Sequence, residues 1–385
     1  MTDATPLQPA LLPAGIRARI IGGINGLAMH VLEAGAPDRP LVLLLHGFPE
    51  LAYSWRRVMP ALAEAGYYVV APDQRGYGRT AGWNPDYDGD VDSFRLLNLV
   101  RDALALVAAL GHRSVAAVAG HDFGSPVAAC CALIRPDVFP KVALMSAPFD
   151  GPPALPFGTA NAAAAPALPA DNIHDALARL DPPRKHYHWY YSTRQADADM
   201  RHAPQGLHAF LRAYFHMKSA DWPDNRPHQL RAWAAEELAQ LPTYYIMERD
   251  QTMPENVAAA MPSAAAIAAC AWLPDRELAV YTSEFARTGF QGGLQWYRCR
   301  TEGRNADLDL FAGRTIDVPA IFIAGQSDWG VYQTPGSFER MQTRACTRML
   351  GAHLLDGAGH WVQQEQPEQV AALLSQFLGE TPARR

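Results

Sequence analysis

Apolar and polar residues alternate over 17–22 and again over 28–33, on either side of Asn25-Gly26. That pattern predicts two strands joined by a tight hairpin at the Asn-Gly pair. Leu41 to Leu45 is an unbroken apolar run, as a strand buried on both faces requires, and Tyr67 to Ala71 repeats it. Leu96 to Leu110 has helical spacing and stops at Gly111. Val115 to Ala119 reads as the next strand, Val127 to Ile134 as a helix ending before Pro136, and Val142 to Met145 as a further strand. Strands alternating with helices predict an α/β fold: a mostly parallel central sheet with helices on both faces.

The rhythm then breaks. Residues 151–170 are rich in Ala and Pro without clear periodicity and read as a long connection, and about 172–310 is mostly helical in pattern. Strand and helix alternate again from Ala320 to Ala324 (strand), through Ser337 to Thr343 (helix) and His353 to Leu355 (strand), to a last helix over Pro367 to Leu378. The simplest organisation is one α/β core, residues 1–150 and 313–385, interrupted by a helical cap at 151–312.

Composition narrows the function classes. With 33 basic and 39 acidic residues the chain has a formal charge of −6, the opposite of a nucleic-acid binder's footprint. Its longest early apolar run is too short to span a bilayer. Met1 to Gly15 has no apolar core behind basic residues, so no secretory leader is expected. Five Cys, odd in number and without metal-like spacing, read as reduced thiols of a cytoplasmic protein. A homodimer is compatible with the sequence but is not fixed by it.

The candidate chemistry starts at Gly120-His121-Asp122-Phe123-Gly124, between a predicted strand and a predicted helix. This is the layout of a nucleophile elbow, with Asp where Ser is usual. A carboxylate suits displacement at saturated carbon and leaves an alkyl ester for water to cleave. His46-Gly47-Phe48-Pro49 follows the Leu41 to Leu45 strand, so the backbone N–H of Phe48 and that of Phe123 are candidate oxyanion-hole donors. His360, in a Gly-rich turn after the last strand, can activate the water. Asp328, after the strand ending at Ala324, can orient that imidazole, with Asp150 as the rival acid. The loop Asp73 to Arg79 is read as structural.

Taken together, HGFP, DQRGYGR, GHDFG, GQSDW and GAGHW resemble, in order and spacing, the α/β-hydrolase superfamily and within it the aspartate-nucleophile epoxide hydrolases. The resemblance covers 17–150 and 313–380. It implies an α/β-hydrolase fold, conversion of an epoxide to a vicinal diol, no metal and no cofactor. It also implies two cap tyrosines that bind the epoxide oxygen. The segment Val280 to Arg298 resembles the family's second tyrosine segment and puts that residue at Tyr281; the first falls at Tyr187, with Tyr190 as the rival. A phenol, with a pKa of about 10, is acidic enough to assist an alkoxide leaving group yet stays protonated at neutral pH. His46, Pro49, Trp189, Tyr190 and Trp361 are expected to line a largely apolar pocket for a small-molecule epoxide.

Two other readings remain open. A haloalkane or haloacetate dehalogenase would use the same Asp-His-Asp machinery, but members of those families usually carry Trp or Arg after the nucleophile, where this chain has Phe123. A non-catalytic ligand-binding protein could share the fold, although it would not need Asp122, Asp328 and His360 together.

Overall fold

The computed structural model describes residues 5–155 and 172–379. The Ala/Pro-rich connection expected at 151–170 therefore lies largely outside the described residues. The first six strands are β1 (Ile16–Ile24), β2 (Leu27–Ala34), β3 (Leu41–Leu45), β4 (Tyr68–Pro72), β5 (Ala117–His121) and β6 (Val142–Met145). Two short strands, β7 (Arg184–His186) and β8 (Ile246–Glu248), form a separate antiparallel ribbon. The last two, β9 (Ala320–Gly325) and β10 (Met349–Leu355), rejoin the main sheet. That sheet has eight strands in the order β1-β2-β4-β3-β5-β6-β9-β10. Pairing is parallel from β4 through β10, and only the β1–β2 and β2–β4 contacts are antiparallel.

The continuous apolar runs are explained by two cores, one on each face of the sheet. Leu41, Leu43 and Leu45 point into one cluster, whereas Val42 and Leu44 point into the other. Tyr68 and Val70 oppose Val69 and Ala71 in the same way, as do Val142 and Leu144 against Ala143 and Met145. Each fully buried Leu or Val contributes roughly 1.5–3 kcal/mol relative to exposure, so a register slip of any central strand is strongly resisted. At the sheet edge the hairpin turns at Asn25 (φ 48°) and Gly26 (φ 85°), the two positive values that a type I′ turn needs.

Local patterning misplaced a few boundaries. Strand β5 runs two residues further than Val115 to Ala119, into Gly120 and His121, because β3 and β6 pair with it on both sides. Strand β10 begins at Met349, well before His353, since its pairing to β9 carries half-exposed residues into the sheet. The helix after β9 is α-helical only over Ser337–Arg340 and continues as a wide π turn, Met341–Ala345.

Between β6 and β9 the described chain is mostly helical, as its patterning suggests, apart from the β7–β8 ribbon. Helices Leu207–Lys218, Asp275–Thr288 and Gln291–Thr301 lie over the carboxyl ends of the strands. Buried Arg56 bonds Glu277 of this insertion and donates to Gln364 (2.8 Å), clamping insertion to core. Trp296 Nε1 adds a bond to the carbonyl of Arg75 (3.0 Å).

Candidate active site

At the end of β5 the chain reverses into the helix Gly124–Ile134. Asp122 makes the turn with φ 50°, held by its N–H to the carbonyl of Met145 (3.1 Å) and by Ser125 N–H to its own carbonyl (3.0 Å). Gly120 and Gly124 are required by the close crossing: a Cβ on Gly120 would strike the carbonyl of Gly124. Among the described residues only Asn25, Asp122 and Ser146 are non-glycines at positive φ. Such backbone costs about 1–3 kcal/mol, and two of the three are in this site.

The Asp122 carboxylate bridges two loops. Oδ1 accepts the backbone N–H of Phe48 (2.9 Å), and Oδ2 lies 3.3 Å from His360 Nε2. On the far side of the ring, His360 Nδ1 is 3.0 Å from Asp328 Oδ1 and 2.9 Å from Ser146 Oγ, and that hydroxyl donates to Asp328 Oδ2 (2.6 Å). Gly330 N–H adds a donor to Asp328 (2.7 Å). Asp328 and Ser146 hold an N–H on Nδ1 and aim Nε2 at Asp122. Burial alone would raise the Asp122 pKa; the hydrogen bond and charge of His360, with Lys218 and His121, outweigh it and hold the carboxyl below its usual range. Burial likewise opposes ionisation of Asp328, and His360, Ser146 and Gly330 N–H bring its pKa down.

The loop carrying His360 is fixed by Glu365, which accepts N–H groups from Gly359 (2.9 Å), Trp361 (2.9 Å) and, across in the insertion, Ala220 (2.8 Å). Behind Asp122, His121 Nδ1 meets Glu50 at 2.6 Å and its Nε2 meets the His360 carbonyl at 2.6 Å. The rival acid Asp150 is elsewhere, paired on the surface with Arg340 (3.1 Å).

Above Asp122 lies a wall of aromatics from the insertion. Tyr297 packs edge-on against Phe123 (5.0 Å between centroids) and Phe48 (5.4 Å), and Tyr187 packs against Tyr297 (5.9 Å). Tyr187 also donates to Gln333 (3.0 Å). Both phenols have raised pKa values, from burial first and the Asp122 charge second. Of the two candidates for the first tyrosine, Tyr190 turns away and donates to Asp199 (2.9 Å).

Tyr281, the residue expected as the second tyrosine, does not join this group. Its hydroxyl is fully buried between Ser54 Oγ (2.8 Å) and Gln364 Oε1 (3.1 Å), and its ring packs against Tyr53 and Phe215. It sits on the helix Asp275–Thr288, whereas the tyrosine beside Phe48 and Phe123 is carried by the next helix, Gln291–Thr301. The signal for Tyr297 was the Gly292-Gly293 pair in that helix's first turn. Gly293 faces Phe48 and Tyr77 so closely that a Cβ would sit 2.7 Å from Tyr77 Oη, which lets the helix settle onto the core.

Other expected lining residues are also accounted for. His46 is a loop brace: Nδ1 meets the Gly47 carbonyl (2.8 Å) and Nε2 accepts from Gln74 N–H (3.1 Å). Pro49 is buried behind Phe48. Trp189 is half-buried against His174 (4.2 Å) and His186 (5.0 Å). Trp361 packs edge-on against His360 (4.6 Å) and donates to the Phe215 carbonyl (2.8 Å).

An elbow residue after the fifth strand, a loop amide on its carboxylate, and an acid–His pair after the later strands define an α/β hydrolase. The family model for the alpha/beta hydrolase fold matches residues 40–367. Epoxide hydrolase A of Mycobacterium tuberculosis (strain H37Rv) is 36% identical over 360 residues, covering 92% of this chain and 95% of that one. Epoxide hydrolase B of the same strain is 34% identical, covering 92% and 96%. Among solved structures, an epoxide hydrolase from an endophytic Streptomyces superposes with a TM-score of 0.74 at 31% identity, covering 95% of this chain and 96% of that one. The chain belongs to the epoxide hydrolase family of the α/β hydrolases. Among the described residues no helix is long and apolar enough to cross a membrane.

Proposed function

We propose that the protein hydrolyses an epoxide to a vicinal diol through an ester on Asp122. The observation that carries this reading is a buried Asp122 carboxylate, held by Phe48 N–H and 3.3 Å from His360 Nε2, with the phenols Tyr297 and Tyr187 packed in a row from Phe48 and Phe123. Because Phe48 N–H occupies Oδ1, Oδ2 is the attacking atom. It bonds to one epoxide carbon; that carbon's bond to the ring oxygen breaks, and the oxygen takes a proton from Tyr187 or Tyr297. A water then attacks the carbonyl carbon of the ester while His360 Nε2 takes its proton. The resulting oxyanion is held by Phe48 N–H and, as expected from the elbow, Phe123 N–H. Collapse breaks the acyl–oxygen bond, and the departing alkoxide takes the proton from His360. The proton left on the regenerated acid returns to the phenolate through solvent. The insertion acts as the cap, and the cycle uses only side chains and water.

Intact mass of His360→Ala after exposure to a panel of epoxides and haloacids tests this. Without its base the enzyme should stall at the ester, gaining the mass of a whole epoxide. A gain equal to a haloacid minus hydrogen halide would instead make the protein a dehalogenase, and no adduct with any compound would remove the covalent mechanism.

A further inference from the structure

Lys218 ends the helix Leu207–Lys218 and is only 3% exposed. Its ammonium lies over four aromatic rings: Tyr245 (5.1 Å), Trp361 (5.3 Å), Tyr214 (5.4 Å) and Tyr244 (5.7 Å). Tyr214 lies one turn back on the same helix, but Tyr244, Tyr245 and Trp361 come from distant parts of the chain, so the full cage exists only in the folded protein. It is also joined to the site at two points. The carbonyl of Lys218 accepts the His360 N–H (2.8 Å), and Trp361 packs edge-on against His360. Tyr214 bonds Tyr191 (3.3 Å), and Tyr191 packs on Phe48 (5.1 Å), whose N–H holds Asp122.

Burying an ammonium is costly, and burial does lower the Lys218 pKa; the charges of Asp122, Asp328 and Glu50 oppose that. Electron-rich ring faces favour a cation and offer nothing comparable to a neutral amine. Burial first, then Arg300 and His186, press the His188 imidazole toward its neutral form, and the Lys218 charge adds to them. The groups that feel Asp122 in turn are His360, His121 and Lys218 on the cationic side, and Tyr77, Tyr187, Tyr214, Tyr245 and Tyr297 among the phenols.

We propose that Lys218 is a positioning residue for ester hydrolysis: its caged ammonium supplies the positive potential that stabilises the oxyanion formed on Asp122 when water attacks. This rests on the reading of Asp122 as the nucleophile. The effect has opposite signs in the two halves of the cycle. Ring opening moves negative charge away from Asp122 to the epoxide oxygen, which a cation near Asp122 opposes. Water attack brings the charge back to the Asp122 carbonyl oxygen, which the same cation favours. A side chain that merely filled the cage would have no such asymmetry.

The test is single-turnover kinetics on styrene oxide, with quenched samples read by intact mass, for Lys218→Met and Lys218→Arg. Lys218→Met should slow ester hydrolysis about tenfold while ring opening holds or quickens, so that the ester accumulates; Lys218→Arg should restore the wild-type ratio. If Lys218→Met misfolds, Lys218→Gln, polar but uncharged, is scored the same way. Equal slowing of both steps, or unchanged hydrolysis, would overturn the proposal. Failure of His360→Ala to form any ester would overturn the nucleophile assignment beneath it, which is a separate result.

Discussion

Removing one hydroxyl from Tyr297 and one from Tyr281 should give opposite results. At Tyr281 the hydroxyl joins Ser54 and Gln364 in a buried network, and Gln364 keeps a second donor in Arg56 Nη1 (2.8 Å). Tyr281→Phe therefore strands part of two polar groups and should cost about 1–2 kcal/mol of stability, with ring opening almost unchanged. At Tyr297 the ring contacts with Phe48, Phe123 and Tyr187 survive in Phe, so stability should hold. What is lost is one of two donors to a developing alkoxide, a change of the kind that slows a reaction about 10²–10³-fold. Tyr187→Phe should behave like Tyr297→Phe, and the double variant should be slower than either. Denaturant melts give the first quantity and the single-turnover rate of ester formation gives the second. If Tyr281→Phe loses ring opening while Tyr297→Phe keeps it, the assignment by packing is wrong.

Three further outcomes follow from the same geometry. A Cβ on Gly47 would sit 2.5 Å from Asp122 Oδ1; Gly47→Ala should therefore lose at least about 10²-fold in ester formation, and a wild-type rate would show that the loop can yield. Asp328→Asn removes the charge and turns one of the two acceptor oxygens that fix the His360 proton on Nδ1 into a donor, and should slow ester hydrolysis by about 10²-fold or more, leaving an ester that mass spectrometry detects; equal slowing of ester formation would count against that role. Asp73 is buried, which would raise its pKa, yet the charge and hydrogen bond of His30 (2.8 Å) and the Arg79 N–H bring it down to about 2 from 3.8. A depressed carboxylate stabilises the fold above its unfolded pKa and stops doing so as pH falls through the folded one. About 2 kcal/mol should thus be lost between roughly pH 4 and pH 2, and Asp73→Asn should flatten that part of the stability–pH curve; an unaltered slope would refute it.

What the sequence revealed follows from range. The strand cores were legible because continuous apolar runs such as Leu41 to Leu45 have one stable use, burial between two layers. Asp122, Asp328 and His360 were legible because each stands at a strand end, where local pattern fixes position. Tyr297 was not, since on a helix an aromatic next to Trp296 reads as ordinary packing; its placement depends on Gly292-Gly293 meeting Gly76, Phe48 and Tyr77 from far along the chain. Lys218 was hidden for the same reason, because Tyr244, Tyr245 and Trp361 gather round it only in the fold. The β7–β8 ribbon, three residues a side, is shorter than any periodicity can register.

The leaving group is where the epoxide and halide readings part, and the donors near Asp122 bear on that choice. A halide departs as a weak base and needs only N–H or similar donors to stabilise it. An epoxide oxygen departs as an alkoxide and needs an acid. The indoles that pack against Phe123 and His360 are already committed: Trp296 Nε1 to the Arg75 carbonyl (3.0 Å) and Trp361 Nε1 to the Phe215 carbonyl (2.8 Å). Phe123, directly after Asp122, offers only a ring wedged between Trp296 (5.3 Å) and Tyr297 (5.0 Å). The phenols of Tyr187 and Tyr297 carry protons that can be transferred to an alkoxide, whereas an indole proton is far too weakly acidic. With Asp122 as the proposed nucleophile, a wall of tyrosines over it has a chemical use in ring opening and little in dehalogenation, which is why the halogenated members of the His360→Ala panel should leave Asp122 unmodified.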